Sequence, residues 1–269
     1  MLSFSSLLSD TKNFISNNLL PIIITVLSIA IIERLITFFF YPSVETIEPI
    51  RQLIEQAAQK YGDQLSPEAL SQTILALSEQ EQLRLIPAVM DYLIRVGIIF
   101  LVINLLSMSV ILSLIYTISY QQLSLSNMLK NISRIATKII LFMLLAIPGF
   151  IGLSLIVSII PPLAIPLIII AILFYVTAYV AFLAVIIEPV PQYGFIKKLK
   201  IGLTFLKQKI RLILPIIAIW FLATLLLDSL AGLLIANMVV LVIFDALKLL
   251  LTVMTLCYLY RLYSLSNKE

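Results

Sequence analysis

The chain has 269 residues, of which 61% are hydrophobic and only 12% are charged, and its formal net charge is +4. Ordinary soluble domains are about 45–50% apolar and about 25% charged. A chain of this length has too few charged side chains to keep so much apolar surface in solution. The composition therefore excludes an ordinary soluble domain and indicates a protein for which lipid is the main solvent.

Six apolar segments are each long enough to cross a bilayer as a helix, because about 20 residues rising about 1.5 Å each cover a hydrocarbon core of about 30 Å. The predicted spans are residues 19–40, 93–118, 139–160, 163–187, 212–234 and 238–260. Pro161 and Pro162 predict a tight hairpin between the third and fourth spans, since proline removes backbone donors. The join between the fifth and sixth, around Ala236 and Asn237, is short. The predicted fold is an all-α integral membrane protein, a single polytopic domain over residues 1–269 with about six transmembrane helices and additional amphipathic interfacial helices.

The segment between the first two spans, residues 41–92, is predicted to be acidic and helical. Apolar residues recur at three- and four-residue spacing over residues 44–61, which predicts an amphipathic helix. Ser66-Pro67-Glu68 predicts a second helix start, and Ser78 with Glu81 has the spacing of a capping box. We expect two or three short helices at the membrane surface or over the bundle, with a plain structured loop as the alternative.

Two loops rich in Lys and Arg, residues 119–138 and 188–211, indicate the cytoplasmic side of the protein. In each loop the basic residues recur with helical spacing, which predicts an amphipathic basic helix in the inner headgroup layer. The candidate headgroup contacts are Lys130, Arg134, Lys138, Lys197, Lys200, Lys207 and Arg211. In the second helix, the basic stripe is expected opposite an apolar stripe that runs from Ile196 to Ile210. Anionic lipid would add about 1 kcal/mol per basic residue, although charge that merely sets the topology explains the same pattern.

The acidic segment agrees with this orientation. Residues 41–92 carry eight acidic and three basic residues, so the segment is assigned to the outer side. An even number of spans then places both the N-terminus and the C-terminus in the cytoplasm.

Ionisable groups inside predicted spans are candidates for function, because each costs about 2.5–3.5 kcal/mol at a helix centre. The intramembrane polar candidates are Glu33, Arg34, Asn104, Asp228, Asp245 and Lys248. Asp245 and Lys248 are three residues apart and can pair on one helix face. A structural or interfacial role competes with a transport pathway as the explanation of this set.

Small and weakly polar residues predict where helices pack closely. In the second span they are Asn104, Ser107, Ser109, Ser113 and Thr117, and elsewhere they are Thr177, Ala181, Gly232 and Ala236. Such residues let helix backbones approach one another and can form hydrogen bonds between helices.

Catalytic and nucleic-acid-binding patterns are absent from the sequence. There is no His, and the single Cys, Cys257, is interpreted as a small apolar residue. Without His there is no imidazole base and no metal site of the usual kind. The motifs GxxxxGK[ST], GxSxG and GxGxxG do not occur. We therefore predict no catalytic, cofactor or metal site, no enzyme activity and no nucleic-acid binding.

Short motifs distributed along the chain carry a family resemblance. They are Asp10-Thr11-Lys12-Asn13-Phe14-Ile15, Tyr41-Pro42-Ser43, Ser66-Pro67-Glu68, Leu199 to Leu203, Leu214-Pro215 with Trp220, and Leu259-Tyr260-Arg261-Leu262-Tyr263. In these motifs the chain resembles the YciC-like family of bacterial inner-membrane proteins. The region around Pro166 and Glu188, with the inner helix, also resembles the membrane domains fused to some glycerophosphodiester phosphodiesterases, from which no catalytic residue carries over.

The resemblance implies a multi-pass protein of the Gram-negative inner membrane with a role in envelope maintenance. Together with the basic helices, it leads to the hypothesis of a non-enzymatic protein that binds anionic lipid headgroups or another membrane protein. The alternative is a transporter or channel for a small solute or lipid, which the polar second span and the intramembrane charges favour.

Overall fold

The structure, a computed structural model, describes residues 3–62, 67–120, 123–159, 164–187, 194–233 and 237–266. These residues form helices and contain no strand. The helices are α1 (Phe4–Asn17), α2 (Leu19–Phe40), α3 (Val44–Tyr61), α4 (Pro67–Ala76), α5 (Glu79–Tyr120), α6 (Leu125–Ile159), α7 (Ala164–Ile187), α8 (Phe195–Leu233) and α9 (Met238–Ser266). Of these, α2, α5, α7, α8 and α9 are long and apolar enough to cross a membrane. The prediction of an all-α fold is confirmed for the described residues, and the five long apolar helices are consistent with a membrane protein.

The helix α2 has the bounds of the first predicted span, whereas several other helices are longer than the spans predicted within them. The first span coincides with α2, whereas the second is the interior of α5, which is 42 residues long. The last part of the acidic segment, residues 79–92, is therefore continuous with a span and is not a separate short helix. Continuing the helix satisfies the backbone groups that a helix end at the interface would leave without partners.

The two basic segments are likewise the first parts of longer helices. The prediction of a separate interfacial helix before the third span is wrong, because α6 runs without a break from Leu125 to Ile159. No Gly or Pro interrupts residues 125–147, so nothing in the backbone ends the helix between its basic and apolar parts. In α8, Lys209 has φ −116° and ψ 17°, outside the helical region, so a kink lies near the end of the basic part, between Lys207 and Arg211.

Two predicted helix starts are present. Ser78 and Glu81 form the predicted capping box before α5, in which the backbone N–H of Ser78 donates to the Glu81 carboxylate at 2.8 Å. Asn237 caps α9, since its side-chain oxygen accepts from the backbone N–H of Val239 at 3.0 Å. The Pro161-Pro162 hairpin, the Ser66 helix start and Ala236 lie outside the described residues.

The chain divides into two compact units, Ile32–Asn104 and the combination of Met1–Ile31 with Leu105–Glu269. The larger unit holds two buried clusters. One joins α2, α5, α6, α7 and α9 around residues such as Ile139 and Phe182. The other joins α1, α7, α8 and α9 around Tyr258, which is fully buried.

The smaller unit contains α3 and α4, which pack against each other. The predicted apolar face of α3 is only partly correct. Ala57 is buried, but Val44 and Ile54 of the predicted face are exposed, and Leu53 is buried instead. Leu53 lines one cavity together with Leu85 of α5.

Candidate functional site

A cluster of three charges lies between the apolar parts of α8 and α9. Lys248 Nζ is 2.8 Å from Asp228 Oδ1 and 3.0 Å from Asp245 Oδ1. The pairing of Asp245 with Lys248, predicted from their spacing, is present. The contact with Asp228 connects the two helices across 20 residues of sequence. With both carboxylates ionised, the cluster has a net charge of −1.

The charge cluster belongs to a larger polar contact between the two helices. The side chain of Asp245 is 11% exposed and that of Lys248 26%, while that of Asp228 is 54% exposed. One turn farther along α9, the indole N–H of Trp220 donates to Thr252 Oγ1 at 3.1 Å. Opposite charges in contact reduce the cost of placing each one among apolar helices. The arrangement therefore links α8 to α9 through the Asp228–Lys248 ion pair and a neutral hydrogen bond, while the Asp245–Lys248 pair lies within α9.

The other three predicted intramembrane residues, Glu33, Arg34 and Asn104, belong to the smaller unit. All three are half-buried, with Glu33 and Arg34 adjacent on α2 and Asn104 on α5. Three of the six predicted residues thus form one cluster, while the other three are not part of it.

The weakly polar residues of α5 hold that helix against α6. Ser107, Ser109, Ser113 and Thr117 are all buried. The Ser113 hydroxyl donates to the carbonyl of Met128 at 2.7 Å, and the Asn131 amide donates to Thr117 Oγ1 at 3.4 Å. These contacts give Ser113 and Thr117 the helix-packing role that the sequence predicted.

The first part of α8 carries an exposed basic stripe, defined as Lys197, Lys200, Lys207 and Arg211. On α6, Lys130 is similarly exposed. Lys200 and Lys207 line an open groove with Thr204 and Gln208. Nothing in this groove encloses a ligand, so it can attract anions without selecting among them.

The apolar stripe predicted opposite the basic stripe consists of Ile196, Leu199, Leu203 and Ile210, and the prediction is wrong for all but Leu199, which packs against the larger buried cluster. Ile196, Leu203 and Ile210 are all exposed, with Ile196 at 79%. The opposite face, which includes Gly202 and Phe205, packs against α7 and α9. The exposed apolar residues therefore lie beside the basic stripe on the outer surface of the helix.

Three basic residues of α6 and α8 affect one another electrostatically: Arg134, Lys138 and Lys198. Burial, and then the charges of Lys198 and Arg134, lower the pKa of Lys138 to about 8. The Arg134 guanidinium lies 5.1 Å from the ring centroid of Tyr116. Lys198 is only 5% exposed. Lys198 falls within the basic segment 188–211, and its helical spacing to Gly202 and Phe205 places it on the packed face of α8.

The amino-terminal helix α1 is attached to α9. Its Phe4 ring lies 5.5 Å from the ring of Tyr258, and Leu7 is fully buried. The Arg261 guanidinium donates two hydrogen bonds to the Asp10 carboxylate, one of them at 2.9 Å. The two residues are 251 positions apart, and no sequence pattern connects them.

Replacing Asp10 by Ala should release α1 from α9. Loss of a two-point contact with arginine at a partly exposed site is expected to cost about 1 kcal/mol. The measurement is the rate at which a protease cleaves the α1 segment of the detergent-purified protein. The matched control is Lys12→Ala, which removes an exposed charge from the same helix. Equal cleavage rates for the two variants would show that the ion pair does not hold α1 in place.

The helices α7 and α8 approach each other closely at Gly202. A Cβ added there would lie 3.3 Å from Phe182 Cα and 3.6 Å from the carbonyl carbon of Ala181. Ala181 is fully buried, in agreement with its predicted packing role. Gly232, predicted to pack in the same way, has no described atom within 4 Å of such a Cβ, so that prediction is wrong.

The smaller unit has a cavity between α3 and α5. Its wall includes Glu45, Glu48, Glu81 and Arg84. Hydrogen bonds from Ser78 lower the pKa of Glu81. The cavity is acidic, as the charge count of residues 41–92 predicted, and the Ser78 contacts belong to the cap of α5 and involve no ligand.

The described side chains can pair charges, connect helices and attract anions. Among the described residues, no three His, Cys, Asp or Glu side chains are arranged to hold a metal ion. Comparison of the chain with models of protein families, with curated proteins and with solved structures finds no match.

Proposed function

We propose that this protein is a non-enzymatic, six-span membrane protein that binds anionic lipid headgroups through the basic first parts of α6 and α8. The observation that carries the proposal is the position of exposed basic and exposed apolar side chains side by side on α8. Lys200 and Lys207 lie next to Ile196 and Leu203. A helix at the edge of a bilayer needs this arrangement, because it contacts phosphates with one side and acyl chains with the other.

An even number of crossings is supported by the contacts of α1. This helix directly precedes α2 and packs against the end of α9, through Phe4 on Tyr258 and Asp10 on Arg261. The start of α2 and the end of α9 then lie at the same membrane face, which five crossings do not allow. The 35 residues of α6, about 52 Å of helix, are long enough to supply the sixth crossing.

Orientation follows from the basic residues. The first parts of α6 and α8 face the cytoplasm by the positive-inside rule, and an even count places the start of α2 and the end of α9 on the same side. Because of the resemblance to the YciC-like family, we assign the protein to a bacterial inner membrane and to envelope maintenance, with a lipid or a second membrane protein as its partner.

A test of lipid binding replaces Lys200, Lys207 and Arg211 together by Gln. At about 1 kcal/mol per basic residue, affinity for phosphatidylglycerol should fall about 100-fold. Binding to the purified full-length protein in neutral detergent is measured by native mass spectrometry.

The matched control replaces the three basic residues of the acidic segment, Arg51, Lys60 and Arg84, by Gln. It makes the same change in charge outside the proposed lipid-binding helices. An equal loss in both triple variants, or no loss in either, would contradict lipid binding by α8.

A transport function is the second candidate, and the cluster of Asp228, Asp245 and Lys248 is the observation that favours it. Charged groups between membrane helices are common in transport pathways. Substrate-dependent flux in proteoliposomes that is lost when both aspartates are replaced by Asn would favour transport over lipid binding alone.

A further inference from the structure

An apolar groove lies between α2 and α5 in the smaller unit. Its volume is about 290 Å³, and its wall is formed by Ile36, Phe40, Arg95, Ile98, Ile99 and Val102. Among the described residues of that wall, Arg95 alone is polar. Phe40, Ile98 and Val102 are exposed, so the side chains of the wall leave the groove open.

The groove has the depth and the chemistry for part of an acyl chain. Arg95 and Val102 lie two turns apart on α5, which corresponds to about 10 Å along the helix. The wall between them is aliphatic, and both helices are apolar enough to cross a membrane. A chain of methylene groups can occupy such a space without burying a polar group that lacks a hydrogen bond.

Two tyrosines mark the end of the groove at which Arg95 lies. Tyr41 follows Phe40 in the chain, and its ring centroid is 6.4 Å from that of Tyr92, in an edge-to-face contact. Tyr92 lies one turn before Arg95 on α5. Tyrosine is enriched where membrane meets water, which assigns this end of the groove to the headgroup layer next to residues 41–92.

Two opposite charges are held at the same end. Arg95 Nε donates to both carboxylate oxygens of Asp91, at 2.9 and 2.8 Å. The contact uses Nε alone, and the terminal nitrogens of Arg95 have no acceptor among the described residues. The side chain of Arg95 is 54% exposed and that of Asp91 40%. The terminal nitrogens can therefore donate to a phosphate, while the carboxylate can accept further hydrogen bonds.

The net charge of this pair is zero, which favours a zwitterionic headgroup over an anionic one. An anionic headgroup at Arg95 would also be repelled by Asp91. A headgroup with a phosphate and a primary ammonium offers an opposite charge to each residue. Asp91 lies one turn farther than Arg95 from the apolar part of α5, and the ammonium of phosphatidylethanolamine likewise lies farther than its phosphate from the acyl chains.

We propose that the groove between α2 and α5 binds an acyl chain of phosphatidylethanolamine, with the phosphate on Arg95 and the ammonium on Asp91. Phosphatidylcholine carries the same charges, but its nitrogen has no N–H and cannot donate to Asp91. The inference goes beyond the proposed function, because the groove is formed by helices other than α6 and α8 and its ligand has no net charge. It requires that α2 and α5 cross the membrane, and it does not depend on anionic lipid binding.

The test titrates purified full-length protein in neutral detergent with phosphatidylethanolamine or phosphatidylcholine of identical acyl chains, and measures bound lipid by native mass spectrometry. The wild-type protein should bind phosphatidylethanolamine about ten-fold more tightly, which corresponds to one hydrogen bond to a charged group. Asp91→Asn should remove most of this preference, and Arg95→Gln should weaken the binding of both lipids. The matched control is Arg51→Gln, which also breaks exposed ion pairs within one helix and should change neither affinity.

Filling the groove tests the acyl-chain part of the site. Val102→Trp places a ring in the groove and should weaken the binding of both lipids about ten-fold. Leu101→Trp is the matched control, because Leu101 is exposed on the same helix and is not part of the wall.

Equal affinity of the wild-type protein for the two lipids would overturn the proposed site. So would equal losses in Val102→Trp and Leu101→Trp, or in Arg95→Gln and Arg51→Gln. The triple variant of Lys200, Lys207 and Arg211 should bind phosphatidylethanolamine as the wild-type protein does. Its binding of phosphatidylglycerol therefore reports on the proposed function alone.

Discussion

Replacing Lys248 by Met is expected to lower the free energy of unfolding by about 3 kcal/mol, the lower end of the range for breaking a buried charge pair. In the wild-type protein the carboxylates of Asp228 and Asp245 share the ammonium of Lys248. The substitution removes that ammonium and leaves the two carboxylates among apolar helices without a counter-charge. The repulsion between the two carboxylates is then uncompensated. The lower end of the range applies because Asp228 is about half exposed.

The control for this prediction is the triple variant Asp228→Asn, Asp245→Asn and Lys248→Met. It removes all three charges together and should recover most of the lost stability, because neutral side chains need no counter-charge. Unfolding in mixed micelles, followed by circular dichroism, measures both variants. If the triple variant is as unstable as Lys248→Met, the three charges are not energetically coupled.

Replacing Gly202 by Leu should cost about 3 kcal/mol, because overpacking of this size displaces backbone and flexible side chains cannot absorb it. The first added carbon would already lie 3.3 Å from Phe182 Cα, and the remaining atoms of a leucine need the space that α7 occupies. The two helices must separate, which uncovers Ala181 and Phe205. Gly202→Ala should show a smaller loss in the same direction, about 1 kcal/mol.

Gly232→Leu is the matched control, on the same helix α8 and with no described atom near its added Cβ. It should be neutral or slightly stabilising, because leucine favours helix over glycine. The midpoint of thermal unfolding in detergent distinguishes the variants. A Gly202→Leu protein that unfolds at the same temperature as Gly232→Leu would mean that α7 and α8 do not depend on this contact.

The features predicted correctly are those that depend on neighbouring residues in the chain. The bounds of α2, the capping box of Ser78 and Glu81, and the pairing of Asp245 with Lys248 each follow from spacing within a few positions. In lipid, each membrane-crossing segment must satisfy its backbone hydrogen bonds internally, so a long apolar run specifies a helix without reference to the rest of the fold.

The features that were missed involve the choice of helix face and of partner. The apolar stripe of α8 was expected opposite the basic one, and Gly232 was expected to mark a close helix contact, whereas the structure shows such a contact at Gly202. Neither error was avoidable from spacing, because the lipid-facing and protein-facing sides of a membrane helix are equally apolar. Hydrophobic periodicity therefore carries little information about which side packs.

The sequence by itself determined that this is an all-α protein with helices long and apolar enough to cross a membrane, and it determined where α2, α7 and α9 begin, because these properties come from local composition. Only the tertiary structure decided that Lys248 also meets Asp228, that Arg261 binds Asp10, and that Lys198 is buried near Lys138. These contacts join residues distant in sequence, and they depend on how the shapes of whole helices fit together.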